Sequence, residues 1–155
     1  MAEPTQTPTG VYRLRQQVSW GDCDPAGFVY FPRFFDKFHL AMERWFGDGL
    51  GESYERLIMG RKLGLPSAHT EADFRRPCRF GDWLEIEMRI TKLGRTSIEL
   101  SYVGRVDGDT EPRLTGRTIC VLMDLDPTHE GYERATPWPE DLRARIEAFG
   151  VGAAP

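Results

Sequence analysis

Pro32-Arg33-Phe34-Phe35-Asp36-Lys37-Phe38-His39-Leu40-Ala41-Met42-Glu43-Arg44-Trp45-Phe46 is the stretch whose reading decides the fold. Pro32 suits the first turn of a helix, where its missing N–H costs nothing. Phe34, Phe35, Phe38, Ala41, Met42, Trp45 and Phe46 recur at helical spacing and form one wide apolar stripe. Gly47, Gly49 and Gly51 follow and supply the stop. The spacing thus predicts a helix of about sixteen residues and ~24 Å. Seven large apolar groups on one helix need a broad surface to cover them.

The flanking sequence supplies that surface. Before the helix, Val11 to Trp20 alternates, with Tyr12, Leu14, Gln16, Val18 and Trp20 against Arg13, Arg15, Gln17 and Ser19. That is the period of a half-buried strand. After the helix, strands are predicted over Ser67 to Phe74, Trp83 to Leu93, Thr96 to Val106 and Leu114 to Leu125. Gly94 and the run Asp107-Gly108-Asp109 provide turns. Pro139 opens a short C-terminal helix through Phe149, and one longer connection, Gly49 to Pro66, returns the chain to the sheet. Strands gathered after a single long helix indicate an α+β fold, with an antiparallel β-sheet wrapped around that helix.

The bulk properties set limits. The chain has 155 residues, 40% hydrophobic and 28% charged, which fits one globular domain over 11–150. Residues 1–10, rich in Thr and Pro, are expected to be a disordered tail rather than a signal or an anchor. No apolar run approaches the ~20 residues that cross a bilayer. The net charge of −4 argues against a nucleic-acid surface. Arginines nonetheless cluster at Arg75, Arg76 and Arg79, at Lys92 and Arg95, and at Arg113 and Arg117. These are either solvated strand faces or a patch for a small polyanion. Cys23, Cys78 and Cys120 cannot all pair and show no CxxC spacing, so reduced thiols in the cytoplasm are expected and no metal site.

Between the first strand and the helix lies Gly21-Asp22-Cys23-Asp24-Pro25-Ala26-Gly27-Phe28-Val29-Tyr30-Phe31-Pro32. Two readings stand side by side. Asp-Pro and Ala-Gly form turns, and aspartates cap turns by bonding their own backbone. Alternatively, a carboxylate beside a helix start has a chemical use. The unpaired N–H groups and positive end of the helix can hold an oxyanion, while the carboxylate attacks an activated carbonyl or deprotonates water. A thioester needs both and no metal.

This block resembles the active-site segment of the 4-hydroxybenzoyl-CoA thioesterases. The similarity runs from about Trp20 to Trp45 and resumes from Pro66 to Asp82 through Ala72-Asp73-Phe74. It is looser at Lys92 to Ser97 and at Glu133-Arg134-Ala135. The resemblance implies a hot-dog fold, an aromatic acyl-CoA thioester as substrate, and a homodimer or dimer of dimers with active sites between subunits. It makes Asp24 the catalytic carboxylate, Asp22 a structural neighbour, and the backbone N–H of Phe31 the group that polarises the thioester carbonyl. Tyr30, His39, His69 and Glu71 become candidate contacts to the acyl group, and Lys92, Arg95, Ser97 and Arg134 candidate contacts to CoA. No cofactor is implied beyond the CoA of the substrate.

Two departures from the family pattern stand out. Phe31 occupies a position where many related acyl-CoA thioesterases carry His, and so favours the aryl-CoA branch. His39 stands where the 4-hydroxybenzoyl enzymes hold an Asp; it is either satisfied by Glu43 one turn on, or it makes a changed contact to the ring substituent. His69 and Glu71 share one strand face, turned either to solvent or to the acyl pocket of a neighbouring subunit. Cys23 has no His near it in sequence and is a poor nucleophile. Hydration or dehydration of an acyl-CoA and plain acyl-CoA binding are the competing functions. The first is disfavoured because the turn contains no His, the second because a binder has little use for a carboxylate beside the thioester.

Overall fold

The computed structural model describes residues 10–152. The tail expected over 1–10 therefore lies, apart from Gly10, outside the described residues. Strand β1 (Val11–Gln17) leads through the Asp-rich turn into helix α1 (Pro32–Leu50). There follow β2 (Leu63–Gly64), β3 (Ser67–Phe74), β4 (Trp83–Leu93), β5 (Ser97–Val106), β6 (Leu114–Val121), β7 (Met123–Asp124) and helix α2 (Glu140–Phe149). The main sheet has the order β1-β4-β5-β6-β3, every pair antiparallel, and β2 pairs with β7 in a second, small sheet. This is the α+β architecture the resemblance implied, one sheet around one long helix with a short C-terminal helix.

Phe34, Phe38, Ala41, Met42, Trp45 and Phe46 of α1 are buried against Leu84, Ile86, Met88, Ile98, Leu100 and Tyr102 of the central strands. Each large apolar side chain buried in this way contributes about 1.5–3 kcal/mol. The Phe38 ring stacks on Tyr102 with centroids 4.4 Å apart and planes 9° from parallel. Gly116 of β6 makes room for it, because a Cβ there would lie 2.4 Å from the Phe38 ring. The helix rests on the sheet as closely as this one missing methyl allows.

Several boundaries differ from expectation, each for a local reason. The helix is 19 residues long, because Gly47 and Gly49 remain inside it and only Gly51, at φ +75°, turns left-handed and ends it. β1 stops at Gln17; Trp20–Asp22 form a single 3-10 turn. β5 begins at Ser97 rather than Thr96. The predicted strand Leu114 to Leu125 breaks after Val121, where Met123–Asp124 leave the sheet to pair with Leu63–Gly64. The long connection thus contains β2 and a π turn, Arg56–Gly60, that no periodicity announced. Among the described residues, no helix is long and apolar enough to cross a membrane.

Candidate active site

Residues 23–29 close on themselves as a tight hairpin. Cys23 bridges Val29, the Asp24 N–H donates to Phe28 O at 2.9 Å, and the Gly27 N–H donates to Asp24 O at 2.9 Å. Gly27 sits at φ +86°, a conformation that L side chains rarely adopt. Asp24 Oδ1 accepts the Ala26 N–H at 2.9 Å, while its Oδ2 has no hydrogen-bond partner among the described residues. The turn-forming and chemical readings of this aspartate are therefore compatible: one oxygen shapes the turn and the other faces outward, half-buried.

Asp22 is engaged differently. Its Oδ2 accepts the Ser19 N–H at 2.9 Å, the Ser19 hydroxyl at 3.0 Å and the Lys37 ammonium at 3.0 Å. Burial acts to raise the Asp22 carboxyl, but the Ser19 N–H, the Lys37 ammonium and the Ser19 hydroxyl outweigh it and hold it below the usual carboxylate value. Asp22 O in turn accepts the Tyr30 N–H at 2.8 Å. Asp22 thus ties the turn to the helix start, which suits a structural neighbour.

At that helix start, the Arg33 N–H bonds Tyr30 O and the Phe34 N–H bonds Phe31 O, and Pro32 has no N–H. The Phe31 N–H stands outside these pairs, at the positive end of α1. Asp24 and Phe31 line one cleft of 390 Å3 with Phe28, Phe34, Phe74, Arg75, Arg76 and Cys78. Its walls are aromatic: Phe31 and Phe34 pack on Phe74 at 6.3 and 5.4 Å between centroids, and Tyr30 packs edge-on to Phe31 at 5.6 Å. Burial pushes the Cys78 thiol up to about 11, so it stays un-ionised and inert at neutral pH. Behind the cleft Arg113 braces the wall, donating to Pro77 O and pairing with Asp109, which Arg76 also reaches at 3.2 Å. Phe28, Phe74, Arg75 and Arg76 were not singled out as site residues from the sequence. The signal was present in the arginine cluster and in the Ala72-Asp73-Phe74 block, but only folding brings it to Asp24.

The remaining candidates fall into separate places. Phe31, Phe35 and His39 lie at i, i+4 and i+8 on one stripe of α1, about 12 Å end to end. His39 packs edge-on to Tyr54 at 5.8 Å rather than bonding Glu43, and borders a 70 Å3 cavity shared with Ser67, Thr70 and Thr118. His69 Nε2 lies 2.9 Å from Glu71 Oε2, and Glu71 continues to Arg117 and Arg117 to Glu99. Thr70 faces α1, so His69 and Glu71 occupy the sheet face turned away from it, and their own chain does not bring them beside Asp24. Lys92, Arg95, Ser97 and Arg134 do gather: Arg95 O and Ser97 O accept the Trp138 N–H and ring N–H, each at 3.2 Å, and Arg134 O accepts the Asp124 N–H at 3.0 Å. They gather, however, at the opposite end of the sheet from Asp24. β4 alone separates the two ends with 11 residues, roughly 35 Å of strand. Among the described residues, no group of three or more His, Cys, Asp or Glu side chains is placed to hold a metal ion.

The model of a thioesterase-like superfamily matches residues 18–146. The 1,4-dihydroxy-2-naphthoyl-CoA hydrolase of Synechococcus elongatus is 32% identical over 133 residues, covering 85% of this chain and 92% of the relative. The crystal structure of a 1,4-dihydroxy-2-naphthoyl-CoA thioesterase from Synechocystis superposes with a TM-score of 0.77 at 26% identity, over 88% of this chain and 96% of that one. The 4-hydroxybenzoyl-CoA thioesterase of Pseudomonas sp. strain CBS-3 superposes with a TM-score of 0.77 at 25% identity, over 88% and 99% of the two chains.

Proposed function

This chain belongs to the thioesterase-like superfamily, and on that premise we propose that it hydrolyses an aromatic acyl-CoA thioester to the carboxylic acid and CoA. The observation that carries the reading is the shared cleft of Asp24 and Phe31, with one carboxylate oxygen and one helix-start N–H both uncommitted. In the proposed reaction the thioester carbonyl oxygen lies at the Phe31 N–H, which stabilises the developing oxyanion. Asp24 attacks the carbonyl carbon, the carbon–sulfur bond breaks, and CoA leaves as the thiolate. Water then opens the resulting anhydride and regenerates Asp24. No cofactor takes part besides the CoA that the substrate carries. The Phe-lined walls and the printed names of the naphthoyl-CoA and hydroxybenzoyl-CoA relatives support an aromatic acyl group. Among the residues lining the cleft there is no His, so acyl-CoA hydration has no imidazole–carboxylate pair to work with.

The proposal includes a homodimer. β3 is an edge strand, exposed along most of its length and, among the described residues, paired only with β6. An antiparallel two-fold across β3 completes the sheet and covers that edge. The same operation reverses the partner end for end, so that its Lys92, Arg95, Ser97 and Arg134 come to the end where Asp24 lies. The test of the chemistry is thiol release from benzoyl-CoA and its hydroxylated relatives by wild type and Asp24→Asn. Wild type should turn over, and the variant should lose at least ~10²-fold in kcat while still binding the thioester. A variant with near-wild-type rates would remove Asp24 from the reaction.

A further inference from the structure

The sheet face turned away from α1 holds a second cavity. Charges on this face are mostly neutralised in pairs: Arg13 with Glu85 and Glu87, Arg89 with Glu87, and Arg117 with Glu71 and Glu99. One region departs from this rule. A cavity of 390 Å3 lies over Val103 and Thr115, rimmed by Arg75, Arg105 and Arg117. Arg75 and Arg105 form no ion pair among the described residues. The register sets Asp73 opposite Thr115 and Glu85 opposite Arg105, and Glu85 lies 3.5 Å from Arg13 rather than bonding Arg105, so both guanidinium groups are left without a carboxylate partner among the described residues. An independent observation marks the same place. Ser101 lines this cavity, is only 8% exposed, and its buried Oγ has no hydrogen-bond partner. A buried hydroxyl left unpaired is unfavourable unless something enters to pair with it.

We propose that this groove binds a phosphate or pyrophosphate group. Arginine forks match such oxyanions bidentately, and the Ser101 hydroxyl donates to a further oxygen. Val103 and Pro112 leave an apolar wall for the organic stem that carries the group. Arg75 lines both this groove and the Asp24 cleft, so the two spaces are neighbours. The same chemistry has two sources: the polyphosphate arm of a CoA thioester seated in the cleft, or a free phosphorylated ligand. The first source rests on the thioesterase reading of the cleft; the groove itself does not.

The test is calorimetric titration of inorganic pyrophosphate into the intact protein, with circular dichroism to establish that each variant is folded. Wild type should bind saturably with a Kd below about 1 mM. Arg105→Gln should bind about ten-fold more weakly and Ser101→Ala more weakly than wild type. Arg15→Gln should bind as wild type does, because Arg15 lies on β1, paired with Asp107 and stacked 4.1 Å over Trp83. Competitive inhibition of thioester hydrolysis by pyrophosphate, with a KM raised in Arg105→Gln, assigns the groove to the substrate. Binding that leaves KM unchanged assigns it to a free ligand. Absence of saturable binding by wild type, or equal binding by Arg105→Gln, overturns the site. Because binding is read without turnover, loss of the thioesterase reading and loss of the groove are separate results.

Discussion

Lys37 reaches back from the second turn of α1 and sets its ammonium 3.0 Å from the Asp22 carboxylate, with the lysine side chain 7% and the aspartate side chain 17% exposed. A lysine on the buried face of a helix looks misplaced in a sequence. Here it pins the turn that carries Asp24 to the helix whose start, at Phe31, lines the same cleft.

Breaking that pair leaves one buried charge alone. Lys37→Met should therefore destabilise the protein by about 3 kcal/mol, read as a lower denaturant midpoint at unchanged slope. The pH dependence has a defined sign. The Asp22 carboxyl is depressed in the folded protein, so its contribution is fully present above the ordinary carboxylate value of 3.8 and is lost as pH falls through the lower folded value. Unfolding followed between about pH 6 and pH 2 should show an acid loss of stability that Asp22→Asn reduces. An identical pH profile in the variant would mean that the pair does not contribute.

Direct attack by Asp24 makes a labelling prediction. In a single turnover in ¹⁸O-water with enzyme in excess, solvent oxygen should enter Asp24 when water opens the anhydride at the aspartyl carbon. The first product acid then stays unlabelled. Mass spectrometry of the Asp24 peptide reads the outcome. Label in the acid and none in the peptide would point to water activation or to opening at the acyl carbon, and trapping with hydroxylamine would separate those two.

Substrate preference follows from the cleft walls. Benzoyl-type thioesters should have a higher kcat/KM than palmitoyl-CoA, because Phe28, Phe31, Phe34 and Phe74 offer flat surfaces. His39, two turns along the same stripe from Phe31, should read the far side of the ring. His39→Ala should lower kcat/KM for hydroxylated aryl thioesters by about tenfold relative to benzoyl-CoA itself. An equal effect on both substrates would place His39 outside recognition.

Local rules made much of this legible in the sequence. β1, β4 and β5 alternate, and the apolar stripe of α1 is unmistakable, because each rests on neighbours within one element. Gly51 could not be told from Gly47 and Gly49 as the helix stop, since Trp45 covers Gly49 closely enough that a Cβ there would lie 2.5 Å from its ring, and that contact is tertiary. β2 and β7, two residues each, are too short to carry a period. Alternation put His69 and Glu71 on one face but could not say which face meets the helix. Nor could it say that Arg75, 51 residues on from Asp24, would share its cleft while Arg95 and Arg134 would gather at the far end of the sheet.

That last separation has a genetic signature. If every reaction centre draws its carboxylate from one chain and its basic contacts from another, two defective proteins can repair each other. Mixing Asp24→Asn chains with Arg95→Ala/Arg134→Ala chains, followed by dissociation and reassociation, creates mixed pairs in which one centre carries both lesions and the other carries none. At equal amounts, and with substrate below KM, the mixture should recover about a quarter of wild-type activity, although each parent alone is deficient. A protein that sediments as a monomer at full activity would have no second chain to lend. A mixture no more active than the mean of its parents would place all the parts of one centre on a single chain.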